Sequence, residues 1–303
     1  MPERTPVTTG HPTAARRIPP WSLAVTAMFL IQLSSALSVT LITEVGPATT
    51  AWLRLTMGAI IFLLIARPRL RSIRRSDLLP LLGLGAASAL MSVAFLAAVA
   101  RIPLGTAVAI EFLGPLAVAA LRSRSKSMIA WPALALIGVV LLTEPWHGTA
   151  DLPGIGFALL AGVGWGSYIL LTQQVGDRFP GISGLAITIP IAALCSTAVG
   201  VPGLAANFEW RFLLIALGLA VIAPVLPFGL EMLALKRMTP TAFGTLMAIE
   251  PAIGLLLGAV VLGQAPGPVQ FIGIAIVVIA GVASQRGGTR AGVGDPAVAP
   301  LSE

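Results

Sequence analysis

The chain has 303 residues, 56% of them apolar and 10% charged, with a net charge of +7. Soluble domains carry roughly 25% charged residues, so the composition excludes an ordinary soluble chain and indicates an all-α integral membrane protein. The basic residues fall between long apolar stretches, a pattern of topology-setting loop charge and not of nucleic-acid binding.

Residues 1–20 are rich in Pro, Thr and Arg and are expected to form a disordered cytoplasmic tail. No cleavable signal is evident, because the apolar stretch from Trp21 follows Arg16 and Arg17 and is long enough to stay as an anchor. Ten candidate spans follow, at about 21–42, 47–66, 78–100, 103–121, 128–143, 154–173, 182–200, 212–235, 239–262 and 267–285. The segment 286–303, rich in Gly, Ala and Pro, reads as a second disordered cytoplasmic tail. Cys195 is alone within an apolar run, which leaves no disulfide framework or thiolate metal site and reads as a small buried hydrophobe.

With the N-terminus inside, 16 of the 19 basic residues fall on one side. Arg101 and Arg211 lie outside, and Arg54 lies within a span. Cytoplasmic loops carry the Lys/Arg excess in multi-span proteins, so both termini are expected to be cytoplasmic.

An internal repeat organises the spans. Ala109-Ile110-Glu111 recurs as Ala248-Ile249-Glu250, and each copy follows a helix end with a tight basic turn, Arg101-Ile102-Pro103 and Arg237-Met238-Thr239-Pro240. Spans four and nine therefore correspond, and residues 21–146 and 154–285 read as two five-helix repeats. Five is odd, so the second copy is inserted upside down. Inverted repeats are an architecture of secondary transporters, with the substrate site near the midplane.

Four charges lie within the spans: Arg54, Glu111, Glu231 and Glu250. Such groups are costly in a bilayer and each needs a reason. Arg54 and Glu111 lie roughly 10–12 Å below the outer surface, which makes them a candidate ion pair, either fixing helix packing or holding a charged substrate or proton. Glu250 lies about 16 Å from the cytoplasmic side with no basic residue at its depth. It reads as a proton carrier or as a hydrogen-bonded structural acid. Glu231, one turn from the end of span eight and near Lys236 and Arg237, is either an interfacial charge or part of a pathway. Pro224 and Pro227 share its helical face, and Pro115 and Pro251 follow the two repeat glutamates. Prolines at membrane depth free carbonyls that are tolerated around an enclosed cavity. Gln32, Trp165 and Tyr168 are further pocket candidates, while Ser34 and Ser35 suit interhelical hydrogen bonds.

The run Leu226-Pro227-Phe228-Gly229-Leu230-Glu231-Met232-Leu233-Ala234-Leu235, continued by Phe243-Gly244-Thr245-Leu246-Met247-Ala248-Ile249-Glu250-Pro251-Ala252, resembles the eighth and ninth helices of bacterial threonine/homoserine exporters. So does Arg101-Ile102-Pro103-Leu104-Gly105 leading into Glu111-Phe112-Leu113-Gly114-Pro115-Leu116. Arg54-Leu55 and Ala158-Leu159-Leu160-Ala161-Gly162 extend the similarity. These exporters belong to the EamA-type branch of the drug/metabolite transporters. The resemblance implies a ten-helix inverted-repeat carrier in the bacterial inner membrane, exporting amino acids or other small metabolites against protons without a cofactor. It also implies a cavity lined by helices one, three, four, six, eight and nine. Many members carry Gly-Glu after span nine, where this chain has Gly263-Gln264; any coupling or gating role of that carboxylate is missing here. Substrate identity and oligomeric state stay open, as does the choice between coupled export and uncoupled facilitation. An intramembrane enzyme is the reading from another class. It lacks support because His11 and His147 lie in a tail and an outer loop, and the aspartates lie in loops, tails or at helix ends.

Overall fold

The computed structural model describes residues 19–68, 73–122, 129–147, 150–176, 178–179, 182–206, 208–238 and 240–287. The expected tail 1–20 lies almost wholly outside the described residues, as does most of 286–303 and the basic residues Arg4, Arg16, Arg17, Arg69, Arg71, Arg124, Lys126 and Arg290.

The described chain is helical, with no strand among its residues. In order the helices are α1 (Pro20–Val45), α2 (Pro47–Ala66), α3 (Arg75–Val99), α4 (Leu104–Glu111), α5 (Leu113–Arg122), α6 (Ala130–Thr143), α7 (Leu152–Gly176), α8 (Ile182–Ala206), α9 (Trp210–Ala220), α10 (Leu226–Leu235), α11 (Pro240–Met247), α12 (Glu250–Leu262) and α13 (Pro268–Gly287). Among the described residues, eight helical stretches are long and apolar enough to cross a bilayer, with α4–α5, α9–α10 and the stretch Ala242–Leu262 each taken as one. The fifth expected span coincides with α6, 14 residues long, and the tenth with α13, whose apolar part runs over Pro268–Ser284.

Pro opens α1 and α2 at the first helical turn, where its missing N–H leaves no bond unmade. At the start of α3 the Asp77 carboxylate accepts from the Arg74 amide at 2.8 Å, and the Arg178 guanidinium reaches it at 2.8 Å. Asp77 is thereby buried without being left unpaired. At the other end of α3, Asp151 accepts from the Gly154 amide at 2.7 Å and from Arg101 Nε at 3.1 Å. Those two donors, the amide first, hold its carboxyl below the usual range.

The helices pack in a recurring set of partners. α2 lies along α8, α4 along α12 and α6 along α13, while α3 packs on α7 and α1 on α10. At Gly114 the backbone of α5 approaches the Gly162 carbonyl of α7 so closely that any Cβ would collide with it. Small residues allow this approach where burial of apolar area supplies no drive between helices. Outward-facing Leu79, Leu194, Leu214 and Val260 are all largely exposed, as bilayer-facing positions are. Cys195 belongs with them. It was expected to be buried and is exposed, because α8 turns that side of its apolar surface outward.

Candidate functional site

Three of the long apolar stretches are broken, and the breaks bring the buried acids together. α4 ends at Glu111, and Phe112 separates it from α5. Pro115 has no amide to give the Glu111 carbonyl, so the ladder is interrupted beside that residue. α11 ends at Met247, a turn at 248–249 follows, and Glu250 begins α12 with Pro251 in its first turn. Between α9 and α10, residues 221–225 form a wider turn in which Ala223 leaves helical geometry (φ −155°, ψ 127°), and Pro224 and Pro227 remove two further donors.

These breaks border a cavity of about 270 Å³. Gln32, Arg54, Glu111, Trp165, Tyr168, Glu231 and Glu250 all stand on its wall, as do Pro224 and Pro227. Pro115 and Pro251 do not; they shape the breaks from behind. Each helix offers one face at helical spacing, as Met28, Gln32 and Ser35 do on α1 and Ser88, Met91, Ser92 and Phe95 on α3. The expected lining of helices one, three, four, six, eight and nine is incomplete. Arg54, Leu55 and Phe62 of α2 and Leu185 and Ile189 of α8 also contribute, because these two helices pack along each other and share an inward edge.

Gln32 Nε2 donates to Glu250 Oε1 at 2.9 Å, with both residues buried. Glu250 lies within electrostatic range of both Glu111 and Glu231. Trp165 packs edge-on against Phe112 at the α4 break, with ring centroids 5.9 Å apart.

The expected ion pair between Arg54 and Glu111 does not form. Arg54 Nη1 donates instead to Ser38 Oγ at 3.2 Å. Equal depth put the two charges at one level, but α2 and α4 pack on different neighbours. Glu231 is half-buried and faces the cavity. Ser34 does join two helices, donating to the Leu219 carbonyl at 3.1 Å, whereas Ser35 bonds within its own helix. Ser38 escaped sequence reasoning, although its spacing of four from Ser34 was the available signal. Gln264 bridges two elements: its Oε1 accepts from the Leu104 amide at 3.1 Å, capping α4 from the end of α12.

The threonine/homoserine exporter RhtA of Escherichia coli K12 is 34% identical over 279 residues, covering 90% of this chain and 94% of that protein. The chain belongs to the EamA-like transporter family. The family's own pattern matches residues 152–283 of this EamA-like chain. RhtA of Salmonella typhimurium LT2 gives the same identity and coverage. An uncharacterized transporter of Clostridium kluyveri is 25% identical over 190 residues, 59% of this chain and 61% of that one. A solved crystal structure, 19% identical, superposes with a TM-score of 0.56 over 88% of this chain and 98% of its own, which extends the likeness to the fold alone.

Proposed function

We propose that the protein exports amino acids or related small metabolites across the bacterial cytoplasmic membrane by exchange with protons, and that Glu250 carries the proton. The observation that carries this reading is the placing of Glu250. It is buried at a helix break, on the cavity wall, with an amide and not a cation as its partner. A carboxyl so placed can exchange a proton with the cavity without a fixed charge to hold it ionised. The two RhtA relatives are threonine/homoserine exporters, which supports amino acids as the substrate class. Arg54, Glu111, Glu231, Gln32, Trp165 and Tyr168 form the rest of the pathway, with Glu231 facing the substrate's cationic group.

The architecture proposed with it is ten spans in two inverted five-helix repeats, 21–146 and 154–285, with both termini cytoplasmic. The packing supports it. Exchanging each span for the one five places along maps the α3–α7 contact onto α1–α10, and maps α2–α8, α4–α12 and α6–α13 each onto itself.

The test is transport in vesicles holding only this protein. Glu250→Gln keeps the shape and removes titration. It is expected to retain exchange of labelled L-threonine and to lose accumulation driven by a pH gradient. Gradient-driven accumulation at the wild-type level in this variant would leave Glu250 a structural residue.

A further inference from the structure

Arg54 is a cation in the cavity wall without a counter-ion. Its hydrogen-bond partner is the Ser38 hydroxyl, which itself donates to the Ser34 carbonyl at 2.6 Å. Ser34 in turn donates to the Leu219 carbonyl. Ser38 thus holds the guanidinium against α1, Ser34 separately ties α1 to α9, and no acid aims the charge. Among the described residues the ion pairs join Arg101 to Asp151, Arg178 to Asp77, and Arg211 to Glu44 and Glu209; Arg54 enters none. Three carboxyls share the cavity with it, yet none lies within ion-pair distance.

A guanidinium offers five N–H donors in a planar fork, and one hydrogen bond leaves most of them unserved. Arg54 is half-buried on the cavity wall and pairs with no acid, an arrangement suited to an anion entering from the cavity. The fork matches a carboxylate in two parallel hydrogen bonds. At about 270 Å³ the cavity lies just below the usual range of roughly 300–1,000 Å³ for ligand pockets, which favours a compact molecule over a drug-sized one.

We infer that Arg54 docks the carboxylate of the cargo, so that the cavity takes small zwitterionic amino acids and discriminates against amines and cationic drugs. The inference rests on the export reading and narrows it. The cargo's carboxylate meets Arg54 of α2, and its ammonium meets Glu231 of α10.

The experiment compares L-threonine with threoninol, the same skeleton with the carboxylate reduced to an alcohol. Purified full-length protein in lipid vesicles is loaded with labelled L-threonine, and each compound competes for it. Threoninol is expected to compete at least about 10-fold more weakly than L-threonine. Arg54→Gln, checked for monodispersity, is expected to weaken L-threonine binding at least about 10-fold and to erase the preference, with Arg54→Lys intermediate. Should Arg54→Gln fail to fold, the two ligands on the wild-type protein still decide the matter. Equal competition by threoninol, or full preference retained in a folded Arg54→Gln protein, overturns the inference while leaving amino-acid export standing. Failure of the wild-type protein to bind or move any amino acid overturns both.

Discussion

The Gln32 side chain does more than occupy space beside Glu250. Its Nε2 donates to the carboxyl, while its own Oε1 is buried with no partner. An amide can donate to a carboxylate or, turned over, accept from a carboxylic acid, so it serves both forms of a group that gains and loses a proton. Gln32→Leu removes both options, and leaving a buried polar group without its partner costs about 1–3 kcal/mol. A lower melting temperature in detergent and slower gradient-driven transport are therefore expected. Unchanged values for both would show that the bond carries neither stability nor function. The buried charges themselves were legible in the sequence, because a charge inside a bilayer is rare enough to be informative. Their partners were not. A rise of 1.5 Å per residue yields depth along a helix but no rotation about its axis, and so Arg54 was assigned to Glu111 when Ser38 is its neighbour. The same missing rotation left Cys195 on the wrong side of α8 and Glu231 undecided between surface and cavity.

Helix breaks connect the residues to the wider structure. Discontinuous helices expose backbone groups at membrane depth only where protein or a cavity surrounds them, and Glu111, Pro224 and Glu250 all mark such places here. Pro in the sequence announced the breaks, but not that they converge. The departure at Gly263-Gln264 acquires a physical role as well. Gln264 Oε1 caps the first amide of α4, tying the end of α12 to the helix that delivers Glu111. Loss of a helix cap costs about 1 kcal/mol, so Gln264→Ala should lower the melting temperature measurably. Gln264→Glu keeps an acceptor and adds negative charge at a helix N-terminus, and should equal or exceed the native stability. A Gln264→Ala protein as stable as wild type would remove the cap from the account. At the neighbouring turn, the contact of Asp151 with Gly154 and Arg101 stabilises while the carboxyl is ionised. Its value is held down, so the contact should persist as pH falls below the ordinary carboxylate range and be lost on further acidification. Protease sensitivity of the segment before α7, followed against pH in native protein and in Asp151→Asn, reads this directly. Early cleavage in the ordinary carboxylate range would contradict it.

For the whole molecule, the question is whether α6, 14 residues long, and α13, both outside the eight long apolar stretches, also cross the bilayer. Contacts between distant loops bear on it. Glu44, at the end of α1, pairs with Arg211 at the start of α9, and Arg101, at the end of α3, pairs with Asp151 at the start of α7. Gln264 at the end of α12 reaches the start of α4, while Arg178 beyond α7 reaches Asp77 at the start of α3. If α6 returned to the side it left, each of these pairs would be divided between opposite faces of the membrane. With α6 and α13 both crossing, each pair shares a face. The same arrangement leaves 16 of 19 basic residues on one side. Reporter fusions at Arg286 and within the 145–153 loop are therefore expected to report opposite sides, the first cytoplasmic. Their agreement on one side would remove the ten-span arrangement, and with it the inverted repeat that relates Glu111 to Glu250.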